Sequence, residues 1–350
     1  MVDTIKMEKL TDRQNRILAL IVRDHIETAQ PVSSQKLVQD YRLDISSATV
    51  RNEMVALTER SYLKQPHTSA GRIPTEQGYR YFVRQLMGQT ELPLATQRMI
   101  THQFYQTKGD IEAWMRLAAS VLAHQSQAAS IVTVPRPHQV LFKHLGLIST
   151  SGRQVLMVLV LMGGEIRQQM LYLAEPITQE RLSVVADRIT TLCEGSSPET
   201  LISLGEKSDG LEQDILKLTH EEMRRSSQTL AGEIYRDGLT NILSEPEFAE
   251  TDAARRALRI LEERSMLEDL LSRTVLHTKV GGVQVLIGGE GAWEELRECS
   301  VVLARYGAPD VITGILGVLG PIRMPYGQTI STVRFIAGVL SNLVVDRFVE

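Results

Sequence analysis

The sequence has few cysteines, few aromatic residues and no long hydrophobic segment. Its 350 residues include two cysteines, Cys193 and Cys299, and only 5% are aromatic. Two isolated cysteines exclude a disulfide framework and a zinc site, and they fit a reducing compartment. The longest apolar run, Val155–Leu161 with Met162 after it, is less than half as long as a membrane-spanning helix. Because the first 14 residues are polar and lack the apolar core of a secretory signal, we expect a cytoplasmic protein with no membrane segment.

The charges are unevenly distributed along the chain. Residues 1–88 contain 13 Lys and Arg against 10 Asp and Glu, whereas the remainder contains 25 against 32, so a net charge of +3 precedes one of −7. Between Arg60 and Arg84, five basic residues accompany one acidic residue, Glu76. A basic module on an acidic body indicates that the module contacts a polyanion, although an ordinary solvated surface also fits a net charge of +3. The globular composition and the length favour two or three domains.

Short helices followed by a hairpin are predicted for about residues 8–88. Apolar residues at helical spacing indicate helices over 10–27, 33–41 and 48–60, with a four-residue turn between the second and the third. Two short strands around the loop HTSAGR follow. Two helices joined by a short turn and then a hairpin are typical of a winged helix-turn-helix, which places its second helix in the major groove of DNA.

The polar side of the third helix predicts a surface that contacts DNA bases. Val50, Met54 and Leu57 lie on one helical face, which we expect to be buried. On the other side, Asn52 can bond an adenine edge and Arg51 a guanine edge, while the helix start and the loop suit phosphate oxygens. The predicted DNA-binding residues are Ser46, Ser47, Ala48, Thr49, Arg51, Asn52, His67, Thr68, Ser69 and Arg72. The pattern also fits two helices with a purely structural role.

The rest of the chain is predicted to be a sheet interrupted by helices. Candidate strands are 140–149, 154–161, 166–173, 283–288, 299–306 and 311–319. The first three are joined by short turns, which favours antiparallel pairing. About 100 residues with helical periodicity, 178–278, separate them from the later strands, and this length indicates an inserted subdomain rather than a loop. A final helix over Tyr326–Phe348 is expected to pack on the sheet.

Residues 31–83 read PVSSQKLVQDYRLDISSATVRNEMVALTERSYLKQPHTSAGRIPTEQGYRYFV. This segment closely resembles the N-terminal domain of the HrcA family, whose members are heat-inducible repressors of bacterial chaperone operons. The segments SSATVRNEM and QPHTSAGRIPT are long and specific, and a looser resemblance continues through LTDRQ near the start and LGPIRMPYGQTIS near the end. The segment TERSYL at 58–63 departs from the acidic, Gly-containing turn that the family more often has.

The resemblance implies an α+β multidomain protein. It implies a winged-helix DNA-binding domain at 1–88, a linker and connecting helix at 89–130, a GAF-like antiparallel sheet domain at 131–177 and 279–350, and a mostly helical dimerisation domain inserted at 178–278. It also implies repression by a homodimer bound to an inverted-repeat operator before chaperone operons of the groE/dnaK class. The chaperonin GroEL would help keep such a repressor active.

One helical stripe in the predicted insert is a candidate for the dimer interface. Leu182, Val185, Ile189 and Leu192 have a heptad-like 3-4-3 spacing. Burial inside the same chain explains this spacing, and so does a two-fold interface, which an inverted repeat requires. We favour the interface.

No catalytic, metal-binding or cofactor motif accompanies these features. The eight histidines are scattered without metal-ligand spacing, and residues 287–293 lack the Lys-Ser/Thr ending of a phosphate-binding loop, so they are expected to form a turn after a strand. We therefore expect no enzyme activity, no metal and no cofactor. An alternative function remains: a ligand-sensing regulatory module whose winged helix contacts proteins instead of DNA.

Overall fold

The computed structural model describes residues 10–68, 70–88, 90–107, 110–137, 139–205, 208, 210–228, 233–248, 251–275 and 278–348. The chain forms two compact units. The first comprises residues up to 133, 234–305 and 315–340, and the second comprises residues 134–233, 306–314 and those from 341 onward. The expectation of an α+β protein with an N-terminal helical region and antiparallel sheets is confirmed.

The first part of the first unit, residues 10–88, is called the N-terminal module below. Its elements are α1 (Asp12–Thr28), α2 (Ser34–Tyr41), α3 (Ser47–Glu59), β1 (Leu63–Lys64), β2 (Ile73–Pro74) and α4 (Glu76–Tyr81), which continues as a π-helical turn over Phe82–Leu86. Side-chain caps fix the helix starts: Thr11 and Gln14 form a capping box on α1, and the Ser33 hydroxyl accepts from the backbone N–H of Lys36 on α2. The predicted order of helix, helix, helix and hairpin is therefore present.

The core of the N-terminal module confirms the predicted inward side of α3. Val50, Met54 and Leu57 are at most 4% exposed. Their i, i+4, i+7 spacing places them on one stripe of the helix, where α1 and α2 cover them. The polar side of the same helix is consequently left at the surface.

The remainder of the first unit contains the main sheet, with strand order β8-β3-β11-β10-β9. Its elements are α5 (Leu94–Gln106), α6 (Ile111–Ser126), β3 (Ala129–Thr133), β8 (Ile234–Asp237), α10 (Leu239–Leu243), α11 (Thr251–Glu262), α12 (Arg264–Val275), β9 (Val283–Ile287), β10 (Cys299–Ala308), β11 (Ile312–Pro321) and α13 (Tyr326–Phe348). The end of β10, the start of β11 and the last residues of α13 fall in the second unit. The pairs β8–β3, β3–β11 and β10–β9 are antiparallel. Strands β3, β10 and β11 are buried almost continuously, which explains why their sequences are apolar on both faces.

Helix α13 matches the predicted final helix. Its 23 residues include an 18-residue stretch with a mean hydropathy of 1.3, so the helix is long and apolar enough to cross a membrane by length and composition alone. Half of this segment is buried inside the chain, which is typical of the core helix of a folded domain.

The second unit is built around a separate three-stranded sheet, with order β5-β6-β7. Its elements are β4 (Arg136–Pro137), β5 (Phe142–Ser151), β6 (Gln154–Leu161), β7 (Ile166–Tyr172), α7 (Gln179–Cys193), α8 (Pro198–Gly205) and α9 (Gly210–Gln228). Both strand pairs are antiparallel, as predicted. Alternate residues of the strands, such as Leu145, Met157 and Leu159, pack with α7 and α9 in one apolar core.

The grouping of strands and helices in the two units differs from the arrangement expected from the sequence. Strands β5–β7 were expected in one sheet with β9–β11, and 178–278 were expected as one helical insert. Among the described residues, β5–β7 form a sheet of their own and pack with α7–α9, while β8 and α10–α12 belong to the first unit. Alternation of apolar residues identifies a strand but not its sheet, and the four residues of β8 are too few to stand out within a helical stretch.

The predicted dimer stripe lies largely inside the second unit. Leu182 and Ile189 are fully buried in the core of the second unit, and Val185 packs against that core. These two side chains therefore serve the core of their own chain, and a dimer interface at this helix stays a prediction. Leu192, at 52% exposure, is the one member of the stripe that lies at the surface.

Candidate nucleic-acid interface

The start of α3 is organised by Ser46. The Ser46 hydroxyl caps the helix by accepting the backbone N–H of Thr49 at 3.1 Å, and it lies 2.9 Å from the Thr49 hydroxyl. The first turn of α3 carries no acidic residue. Because the N-terminal end of a helix has a partial positive charge and free N–H groups, this end favours an anion such as a phosphate.

The exposed face of α3 carries the predicted base-contacting residues. Ala48, Arg51 and Asn52 are exposed, and Ser47 and Thr49 are half-buried. Within the part of the chain that the structure describes, neither Arg51 nor Asn52 forms a hydrogen bond or an ion pair. Their donor and acceptor atoms are therefore available to a ligand, as bidentate contacts to guanine and adenine edges require.

The one acidic side chain in the middle of α3 faces the module itself. Glu53 accepts a hydrogen bond from the Gln14 side-chain amide at 3.1 Å and pairs with Arg13 at 3.5 Å. Its side chain is only 20% exposed. The contacts to α1 therefore hold a negative charge away from the face that carries Arg51 and Asn52.

The loop between β1 and β2 is the wing of the module. The Gln65 side-chain amide donates to the carbonyls of Thr68 and Ala70 at 2.9 and 3.1 Å, which closes the loop. His67 and Thr68 are exposed, as expected for residues that contact a DNA backbone. Ser69, which was also predicted to bind DNA, lies outside the described residues.

A third segment extends the hairpin. Val32 and Arg72 exchange two backbone hydrogen bonds of 2.9 Å, so the chain before α2 pairs with the start of the returning strand. Gly71 permits this pairing, because a Cβ atom there would lie 2.3 Å from the carbonyl oxygen of Val32. Gln65 and Val32 shape the wing, and neither was identified from the sequence, in which they lack any special spacing.

Arg72 is less extended than its wing position suggests. The residue is half-buried, and its Nε atom is enclosed without a hydrogen-bond partner among the described residues. Part of the Arg72 guanidinium is therefore enclosed by the protein, and its contact with DNA stays a prediction.

The remaining chemistry of the described residues offers no competing site. No group of three His, Cys, Asp or Glu residues within the described ranges could hold a metal ion. Both cysteines are buried, and burial raises the pKa of Cys193 to about 11 and that of Cys299 to about 12. Thiols with such pKa values are protonated at neutral pH and poor nucleophiles.

Comparison with known proteins is consistent with these features. The family model for the HrcA protein C-terminal domain matches residues 112–330. A heat-inducible transcription repressor HrcA from Roseiflexus castenholzii is 45% identical over 347 residues, which are 97% of this chain and 96% of that protein. One from Herpetosiphon aurantiacus is 42% identical over 349 residues, or 98% and 97% of the two chains. A crystal structure described as a hypothetical protein, at 24% identity, covers 96% of this chain and 98% of its own with a TM-score of 0.59.

Proposed function

The chain belongs to the HrcA family of heat-inducible transcription repressors, and we propose that it represses by inserting α3 into the major groove at each half of an inverted-repeat operator before chaperone operons of the groE/dnaK class. Membership of this non-enzymatic family confirms that the chain is not an enzyme. The observation that carries the proposal is that Arg51 and Asn52 are exposed, without a partner among the residues that the structure describes, beside the Ser46-capped end of α3.

In this proposal α3 is the recognition helix of a winged helix-turn-helix. Its 13 residues form a rod about 20 Å long, which suits a major groove about 12 Å wide. Asn52 and Arg51 contact base edges, and Ala48 and the Thr49 methyl lie against thymine methyl groups. Phosphate oxygens are contacted by a second set of residues, namely Ser46, Ser47, His67, Thr68, Ser69 and Arg72.

An inverted repeat requires a two-fold symmetric repressor, and the second unit offers a surface for it. The face of the three-stranded sheet that is turned away from α7–α9 exposes four large apolar side chains, Ile148, Ile166, Met170 and Tyr172, by 42–75%. Ile148 and Met170 flank Leu156 in register across the three strands. We name this surface, with the half-buried Leu156, Val158 and Val160 between the exposed residues, the outer sheet face.

We infer that a second copy of the chain covers the outer sheet face. In strand register the polar residues of this face include His144, Gln154 and Gln168, and no Asp, Glu, Lys or Arg is paired on it, so two copies can pack on each other without burying an unpaired carboxylate, ammonium or guanidinium group. Three strands over about seven residues span about 14 by 23 Å, a compact apolar core for an interface. An isologous contact of one face with itself closes after two subunits, which matches the two halves of an inverted repeat.

The link to heat shock rests on the family resemblance. We propose that GroEL raises the fraction of folded repressor, so that unfolded clients, by occupying GroEL, lower repressor activity. We also propose that the main sheet is the GAF-like domain. The repressor is proposed to act in the cytoplasm, bound to the nucleoid.

Selection of duplexes from a random DNA pool tests the DNA-binding proposal, and recovery of an inverted repeat is expected. Asn52→Ala should lose about 1–3 kcal/mol of binding free energy on the selected site and relax the base preference at one position. Arg98→Ala, which removes an exposed side chain of α5, is the control and should bind as the unchanged protein does. An unchanged base preference in Asn52→Ala would show that α3 does not contact bases.

A salt titration separates DNA binding from protein contact. About five phosphate contacts per subunit predict a slope of about −4 to −5 per subunit for log affinity against log salt. A flat response would favour the alternative, a ligand-sensing module whose winged helix contacts proteins.

Sedimentation tests the dimer. Tyr172→Asp places a charge on the outer sheet face and should yield monomers. Leu94→Asp changes an exposed apolar residue of α5, 70% exposed and outside the outer sheet face, and should leave the dimer intact. A dimeric Tyr172→Asp variant would exclude the outer sheet face as the interface.

A further inference from the structure

Arg323 ties the N-terminal module to the rest of the first unit. It follows β11, and its guanidinium donates to the backbone carbonyl of Ile26, in the last turn of α1, at 3.2 Å. The same guanidinium pairs with Glu247 at 2.5 Å and with Glu245. The Arg323 side chain is only 12% exposed, so three charged groups meet at a contact from which most solvent is excluded. The contact joins segments that are up to 297 residues apart in the sequence.

A second arginine makes the reciprocal contact from the N-terminal module. Arg80, on α4, donates to the carbonyl of Ile287 at the end of β9 at 2.9 Å. It also pairs with Glu76 at 3.0 Å and lies 3.7 Å from Glu290. Gly288 permits this approach, because a Cβ atom there would lie 2.3 Å from the Glu76 carboxyl carbon. The glycine-rich turn after β9 is thus a contact surface for α4.

Aromatic packing connects the two arginine contacts. Tyr79, next to Arg80, has its ring 6.0 Å from that of Tyr326, three residues after Arg323. The Tyr326 hydroxyl donates to the carbonyl of Ile322 at 2.6 Å. Both tyrosines are 1% exposed, so the surface between the arginines is dry and well packed.

We propose that Arg80 and Arg323 are positioning residues that fix the orientation of α3, and we name them together, with Ile26, Ile287, Glu245 and Glu247, the arginine clamp. Both arginines donate to backbone carbonyls, and a carbonyl defines a direction as well as a distance. Buried ion pairs give little net stability because their desolvation offsets their attraction, whereas they can favour one arrangement over others. The clamp therefore selects one orientation of the N-terminal module.

This inference rests on the proposed function, because a fixed orientation matters when two recognition helices must reach two half-sites together. Once one subunit is bound, the second binds at an effective concentration that depends on geometry. A module that turns freely populates the competent orientation for only a fraction of the time, and its apparent affinity falls by that fraction. A single half-site makes no such demand.

Spin-label distances test the clamp without DNA. Labels on Glu59→Cys, at the end of α3, and on Ser265→Cys, on α12, report the orientation of the module, since both positions are exposed and the native cysteines are buried. We expect one narrow distance distribution in the parent and a broad one in Arg323→Met. Arg255→Met, on an α11 arginine that is 73% exposed and pairs with Asp252 three residues earlier, should keep a narrow distribution. An equally narrow distribution in a folded Arg323→Met variant would overturn the proposal.

Binding to the selected inverted repeat and to a duplex with one half-site gives the functional measurement. Arg323→Met should bind the full repeat about tenfold more weakly or worse, and the half-site within about twofold of the parent. Should Arg323→Met leave Glu245 and Glu247 too poorly paired to fold, the variant with all three replaced, Arg323→Met with Glu245→Gln and Glu247→Gln, removes the charges together and has the same expected outcome. Equal losses on both duplexes would overturn the clamp. Failure of the parent to bind either duplex would instead refute the proposed function, while the distance distributions still decide whether the clamp exists.

Discussion

Gly71→Ala is a sharp test of the wing geometry. Gly71 lies where the returning strand of the wing passes Val32, and a Cβ atom would come within 2.3 Å of the Val32 carbonyl oxygen and 2.9 Å of its nitrogen. Both are backbone atoms, so a side-chain rotation cannot relieve the collision. The backbone of Gly71 lies outside the left-handed region, and alanine therefore carries no conformational penalty of its own there.

The expected loss follows from the contacts that must break. Separating the segments removes the two 2.9 Å hydrogen bonds between Val32 and Arg72, each with a net contribution of about 0.5–1.5 kcal/mol. Residual overlap and the partly unpaired backbone groups add to this, so we expect a destabilisation of about 2–4 kcal/mol. The wing also moves, and binding to all DNA sequences should weaken to a similar degree.

Denaturant unfolding and hydrogen exchange measure this change. The backbone amides of Val32 and Arg72 should lose protection in Gly71→Ala. Gly338→Ala is the control, because Gly338 is exposed within α13 and has no atom within 4 Å of the added Cβ. Alanine should raise stability there by about 0.5–1 kcal/mol, since glycine is a poor helix former. A Gly71→Ala variant as stable as the parent, with both amides still protected, would refute the pairing of the wing with Val32.

Three further outcomes are expected. Ser46→Ala should lower the free energy of unfolding by about 1 kcal/mol, measured by denaturant titration, because the cap of α3 is lost. Burial, together with the charge of Arg323, lowers the pKa of His25 from 6.5 to about 4. Between these pH values the unfolded chain binds a proton that the folded chain does not. The contribution of His25 to stability should therefore be complete above about pH 6.5 and be lost as the pH drops towards 4. Denaturation at several pH values should show this dependence, and His25→Gln should reduce it. In DNA titrations Arg72→Ala should reduce the salt slope by about one, whereas Arg98→Ala, on α5 outside the N-terminal module, should leave it unchanged.

Local structure could be predicted where a single period explains the residues. The spacing of Val50, Met54 and Leu57 predicted the buried side of α3, and the apolar run Val155–Leu161 between turn residues predicted the bounds of β6. In α3 the apolar spacing reports the buried face directly, whereas the continuous apolar run of β6 marks a strand without telling which of its faces is buried.

Tertiary partners could not be predicted in the same way. The spacing of the apolar stripe with Leu182 and Ile189 fits a helix in a core and a helix in an interface equally well, because both environments exclude water from one side of the helix. Its burial in the second unit depends on the placement of β5–β7, which their alternation does not specify. The contact between Arg323 and Ile26 joins residues 297 positions apart, and no local pattern marks either of them.

Counting charges along the sequence overestimates how many of them can reach DNA, because the count ignores where each side chain ends. Arg80 belongs to the basic stretch between residues 60 and 84, yet its guanidinium contacts the carbonyl of Ile287 and the carboxylate of Glu76. A count of charges along the sequence does not single out Arg51. In the structure, however, Arg51 lies exposed on the polar side of α3 and is unpaired among the described residues. Base contacts require unpaired donors and acceptors on one rigid face, and long-range attraction requires only a local excess of positive charge. A module with a net charge of +3 can therefore recognise DNA within a chain whose net charge is −4.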